Sequence, residues 1–94
     1  MKSLLIIGGD HLGKITQKLE SEGFKEVIHI NGRKTQMVRK DIPSHVNLIL
    51  VLTDFINHNL STAIKRKAQE KGIPIRFSKR SWSSIYGEIQ NLSA

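Results

Sequence analysis

Apolar residues fall along this chain in two alternating patterns, short unbroken runs and stripes at helical spacing. Leu4-Leu5-Ile6-Ile7 is a continuous run inside Ser3–Gly8, which predicts a strand buried on both faces. Gly8-Gly9-Asp10 breaks it, and Asp10 is a suitable N-cap for a helix carrying Leu12, Ile15 and Leu19 on one stripe, with Gly23 just past its end. Val27–Ile30 reads as a second strand, ended by Asn31-Gly32. Residues 33–42 are ambiguous: Met37 and Val38 suit one side of a short helix, which Pro43 would limit. Val46–Leu52 is the strongest strand pattern and is expected at the sheet centre.

After Thr53-Asp54 a helix is predicted from near Asn57, burying Leu60, Ala63, Ile64 and Ala68 and closed by Gly72. Lys65, Arg66, Lys67 and Lys71 are expected in its last turns, where cations complement the macrodipole. Ile73–Phe77 is the fourth strand, and Pro74 at its start suggests an edge. Ser81 caps a final helix with Trp82, Ile85, Ile89 and Leu92 on one stripe. Strand alternating with helix implies a parallel sheet with right-handed crossovers. The expected architecture is one α/β domain over residues 1–94, a three-layer sandwich of flavodoxin or Rossmann type with strand order 2-1-3-4.

Composition narrows this picture. With no cysteine, neither a disulfide framework nor a thiolate metal site can support the fold. Stability must come from packing, and a homodimer is a reasonable expectation for so small a core. The four-residue apolar run is too short for a signal-peptide core or a membrane span, so a cytoplasmic protein without membrane partners is expected. The formal charge of +7 favours phosphate-bearing partners. That excess is spread over both halves of the chain, which excludes a basic tail but not a basic face. A nucleic-acid contact through Lys65, Arg66 and Lys67 is one form that face could take.

Chemistry collects where the strands end. In an open parallel sheet all strand C-termini share one edge, and ligands bind there. Strand one is followed by Gly8-Gly9-Asp10-His11. Strand two supplies His29 and then Asn31-Gly32-Arg33-Lys34. Thr53-Asp54 and Asn57-His58 follow strand three, and Ser78-Lys79-Arg80-Ser81 follows strand four. His45 precedes strand three and belongs at the opposite edge. The expected ligand site comprises Gly9, Asp10, His11, Arg33, Asp54, Asn57, His58, Arg80 and Ser81. Arg33 and Arg80 are its strongest anion ligands, because a guanidinium is a planar fork matched to carboxylate or phosphate. The plainer alternative is that polar loops are ordinary, and that Asp10, Asn57 and Ser81 simply cap helices.

Local motifs do not sharpen this into a reaction. Gly8 to Lys14 fits G-x-x-x-x-G-K, yet Ile15 replaces the hydroxyl residue that would hold magnesium, and Asp10 puts a negative charge where phosphates should lie. A strand ending at Asp54 imitates a Walker B acid, but the chain is shorter than an ordinary nucleotide-hydrolysing core. The dinucleotide pattern fails in register, since the glycines run Gly8, Gly9, Gly13. His11, His29 and His58, with Asp10 and Asp54, could instead surround a metal ion, although their spacing matches no local metal signature. An axial histidine for haem, between Trp82 and Phe55 as apolar walls, is a related alternative. Asp54 orienting His58, with Arg80 stabilising negative charge, would suit catalysis, but no nucleophile motif accompanies them. Trp82 heads an apolar stripe and is read as core or interface, with base stacking the sharper alternative.

Four ordered segments, Gly8-Gly9-Asp10-His11-Leu12-Gly13, His29-Ile30-Asn31-Gly32-Arg33, Leu52-Thr53-Asp54-Phe55-Ile56-Asn57-His58 and Phe77-Ser78-Lys79-Arg80-Ser81-Trp82, resemble the bacterial family called domain of unknown function twenty-three twenty-five. The resemblance runs over nearly the whole chain. It implies a bacterial protein, with relatives in Gram-positive species and on mobile elements, but brings no activity with it. It also implies that Asp10, His11, Arg33, Asp54, Asn57, His58, Arg80 and Ser81 match the family's recurrent polar positions. Lys79 stands where the family commonly has arginine. The functional expectation is therefore a module for an anionic, phosphate-bearing ligand. A His-ligated metal or haem protein and a nucleic-acid-associated protein are the alternatives.

Overall fold

A computed structural model describes residues 2–9, 11–30, 42–54, 56 and 58–91. Their elements are β1 (Lys2–Ile7), α1 (Ile15–Ser21), β2 (Phe24–Ile30), β3 (Leu48–Leu52), α2 (His58–Lys71), β4 (Ile75–Ser78) and α3 (Trp82–Asn91). The four strands form one parallel sheet in the order β2-β1-β3-β4, as the strand–helix alternation predicts.

Period-two alternation explains how the sheet separates two cores. Leu4 and Ile6 of β1, with Leu48, Leu50 and Leu52 of β3, join Leu12, Ile15, Leu19, Ile85 and Ile89 in one cluster. Leu5, Ile7, Ile49 and Val51 point the other way, onto Leu60, Ile64 and Ala68 of α2 and onto Ile42 and Val46. So α1 and α3 cover one face and α2 covers the other, giving three layers. The continuous apolar runs of β1 and β3 are therefore requirements of two-sided burial. Leu4 to Ile7 and Ile49 to Leu52 are all fully buried, and each such side chain contributes about 1.5–3 kcal/mol relative to exposure.

Element boundaries move for identifiable reasons. α1 starts at Ile15, so its N-cap is Lys14, without a side-chain bond, and not Asp10. Gly13 at φ 56° turns the chain immediately before the helix, which postpones its start. β2 begins at Phe24, straight after Gly23, earlier than the apolar pattern indicates. It is an edge strand, so exposed Lys25 and Glu26 sit inside it without cost and conceal its start. β3 begins at Leu48, because Asn47 closes the preceding loop: its N–H donates to the Ser3 carbonyl at 2.9 Å, and its Oδ1 accepts the Ser3 N–H at 2.7 Å. β4 lies at the edge, as Pro74 suggests, and runs to Ser78. In α2 only Lys71 stands in the last turn, so Lys65, Arg66 and Lys67 are mid-helix and do not complement its C-terminal dipole. Met37 and Val38 lie outside the described residues.

Candidate functional site

The parallel topology brings the C-terminal ends of all four strands to one rim, where hydrogen bonds join them into a collar. At the β2 end, the Nε2–H of His29 donates to the Gly8 carbonyl at 2.8 Å, and the Gly8 N–H donates to the Ile30 carbonyl at 2.9 Å. A carbonyl can only accept, so this contact assigns the ring proton to Nε2 and leaves Nδ1 as the one nitrogen able to bind a metal. Between β3 and β4, the Thr53 N–H donates to the Ser78 carbonyl at 2.9 Å, joined by the Thr53 hydroxyl at 3.3 Å. Ser78 itself is buried and donates its hydroxyl to the Lys79 carbonyl at 2.5 Å.

Arg80 links the remaining segments. Its main-chain N–H donates to the Asp54 carboxylate, 3.1 Å from Oδ1 and 3.5 Å from Oδ2. Its side chain crosses to the β1–α1 loop, where Nε, at 3.0 Å, and Nη2 both donate to the His11 carbonyl. One residue thus ties three of the four strand-end loops together. Gly9 lies beneath that crossing. It is buried at φ 75°, and a β-carbon there would stand 3.8 Å from Arg80 Cδ and Nε and 3.7 Å from Leu52 Cδ1. The cost of a side chain at Gly9 is therefore backbone strain, with no steric clash added. Gly9→Ala should lower stability by about 1–2 kcal/mol while leaving the Arg80 contact in place, which a melting curve and a structure of the variant would check.

Ser81 caps α3: its hydroxyl accepts the Ser84 N–H at 3.3 Å and donates to the Ser84 hydroxyl at 3.0 Å. His11 is exposed in the β1–α1 loop, and His58 is exposed as the first residue of α2. Among the described residues, the Asp54 carboxylate takes its hydrogen bond from the Arg80 main chain and not from the His58 imidazole, so the acid–imidazole pairing that would suit catalysis is not formed. No group of three or more His, Asp or Glu able to hold a metal ion occurs among the described residues. Asp10, Arg33 and Asn57, and the Phe55 offered as an apolar wall, lie outside them.

Other sequence expectations resolve elsewhere. His45 is at the opposite edge, its Nε2 2.7 Å from Oε1 of Glu26. Trp82 is half-buried against the first core, 5.6 Å from the Tyr86 ring, with the Lys18 ammonium 5.6 Å from its own ring centre. That environment fits the core reading better than an open stacking platform. Lys65 and Arg66 are exposed midway along α2, and Lys67 is half-buried. Strand-end reasoning placed Gly8 and Ser78 at this edge but left them out of the ligand set. Their contributions come from main-chain carbonyls and a buried hydroxyl, which residue type alone does not reveal.

Among the described residues, cations Lys14, Lys79 and Arg80 outnumber the single carboxylate of Asp54 at this rim. No helix among the described residues is long and apolar enough to cross a membrane. No curated protein and no solved structure matches the chain. A family model described as uncharacterized protein conserved in bacteria (DUF2325) matches residues 3–92. With nearly its whole length inside that match, the chain belongs to this bacterial family.

Proposed function

We propose that this protein is a small ligand-binding module that takes an anionic, phosphate-bearing molecule across the C-terminal ends of its strands. The observation that carries the reading is the tethering of Arg80. The guanidinium is fixed at the rim by the His11 carbonyl, yet it has five N–H donors, more than one carbonyl can occupy. A cation already held in position loses less entropy on meeting an anion than a freely moving side chain does. The N-terminal ends of α2 and α3 open on the same rim, where helix dipoles favour negative charge. Arg33, Asn57 and His11 complete the proposed anion-binding set, while the Asp10 carboxylate, an acceptor only, would serve a hydroxyl or other donor of the same ligand. A native mass spectrum of gently purified protein tests this: a copurified phosphate-bearing mass is expected, and it should be lost from Arg80→Gln. A ligand retained in full by that variant would contradict the assignment.

A second reading, a haem held by histidine, is favoured over a protein-built metal centre by one contrast. A bare cation needs three or four protein ligands, and no such group exists among the described residues. A haem carries its own equatorial nitrogens and needs only axial imidazoles, which exposed His11 and His58 could supply while Arg80 meets a propionate. Adding haemin should then give a sharp Soret band that His58→Ala or His11→Ala diminishes strongly. A broad band, identical in wild type and both variants, would eliminate this reading.

A further inference from the structure

We infer that the outer edge of β4 and the adjoining side of α3 form a docking groove for an extended acidic polypeptide segment, which meets the strand-end rim at Ser78 and Lys79. β4 ends the sheet, with no strand beyond it among the described residues. The Ile49 N–H donates to the Pro74 carbonyl and the Thr53 N–H to the Ser78 carbonyl, each at 2.9 Å. In a parallel ladder alternate residues turn their peptide groups to the same neighbour. Arg76 therefore faces β3 as Pro74 and Ser78 do, while Ile75 and Phe77 direct N–H and C=O away from the sheet. Those groups are a template for an added strand.

The space beside them suits one. An open groove of about 650 Å³ runs between this edge and α3, lined by Phe77, Ser78, Lys79, Ser84, Gly87 and Glu88, among others. Gly87 gives the groove its width. It sits inside α3, where glycine destabilises a helix relative to alanine, and a β-carbon there would meet nothing within 4 Å. The fold has no use for that glycine, whereas a chain lying in the groove would have one. Charge selects the occupant. Ile75 and Phe77 pack on the α2 side, so Arg76 projects toward α3, and with Lys79 in the lining it sets two cations against the one carboxylate there, Glu88, on a chain of net charge +7. Edge-to-edge pairing with a second copy would set these cations against their own counterparts, which is unfavourable at cross-strand distances. A segment bearing Asp or Glu at alternate positions would instead complement them.

The test uses a short capped peptide of alternating glutamate and valine, with a lysine–valine peptide as control, followed by amide NMR and hydrogen exchange. The acidic peptide should shift resonances along β4 and α3 and slow exchange at Ile75 and Phe77, with the lysine peptide about tenfold weaker or silent. Gly87→Leu should abolish the effect while leaving the melting temperature unchanged or raised, which separates a filled groove from a damaged fold. Equal effects of both peptides, no perturbation of β4 at roughly millimolar acidic peptide, or unaltered binding by Gly87→Leu would overturn the inference. So would a sedimenting dimer in which the Ile75 and Phe77 amides are already protected, since a second copy would then be the occupant.

Discussion

Arg80→Gln is expected to weaken binding of a phosphate-bearing ligand by about 10- to 100-fold, with only a modest loss of stability. Hydrogen bonds to charged groups contribute about 1.5–3 kcal/mol, and a bidentate fork on an anion lies in that range. Stability falls for a different reason: the Nε and Nη2 bonds to the His11 carbonyl disappear. That link is half-exposed and neutral at its acceptor, so its loss should cost about 0.5–1.5 kcal/mol. The Asp54 bond to the Arg80 main-chain N–H survives any substitution at this side chain except proline. Arg80→Lys should fall between the two, keeping charge and losing the fork. Calorimetric titration of the three proteins, alongside their melting curves, separates these contributions. If Arg80→Gln bound as tightly as wild type, Arg80 would be a loop clamp and nothing more.

Leu50→Ala is expected to have the largest effect on the fold, a loss of about 2–5 kcal/mol. Leu50 has no exposed surface, sits in β3 between Ile6 of β1 and Arg76 of β4, and points into the cluster beneath α1 and α3. Truncation leaves a cavity that three layers, pinned by sheet hydrogen bonds, cannot easily close. Domains of this size hold total stabilities of about 5–15 kcal/mol, so the variant should melt at a far lower temperature. By comparison Lys65→Ala, on the exposed side of α2, should stay within about 0.5 kcal/mol of wild type. Denaturant unfolding of both measures the difference, and a Leu50→Ala loss below about 1 kcal/mol would contradict the two-sided burial of β3.

The fold was legible because burial on both faces writes itself into sequence. The unbroken runs at Leu4–Ile7 and Leu48–Leu52 can be accommodated only between two helical layers, and the regular return of helical stripes fixes parallel crossovers. What failed to show was local. The start of α1 depends on a glycine turn at Gly13 that postpones the helix past Asp10, and the start of β2 is hidden by Lys25 and Glu26 on an exposed edge. The candidate site was legible as a place, since parallel topology alone collects strand ends. Its internal wiring was not. That His29 serves a backbone carbonyl, that Asp54 holds a main-chain N–H, and that Arg80 crosses to His11 are matters of three-dimensional reach between residues 21 to 69 positions apart. Residue type announces the donors and acceptors but not their pairing.

The most direct test of the ligand proposal is an amide NMR titration of the wild-type protein with inorganic pyrophosphate at physiological salt. Perturbations are predicted to concentrate at Gly9, His11, Asp54, Lys79, Arg80 and Ser81, to saturate with a one-to-one stoichiometry, and to need about 10- to 100-fold more pyrophosphate in Arg80→Gln. Shifts confined to the Lys65, Arg66 and Lys67 stretch of α2, or gradual changes over the whole basic surface without saturation, would contradict it.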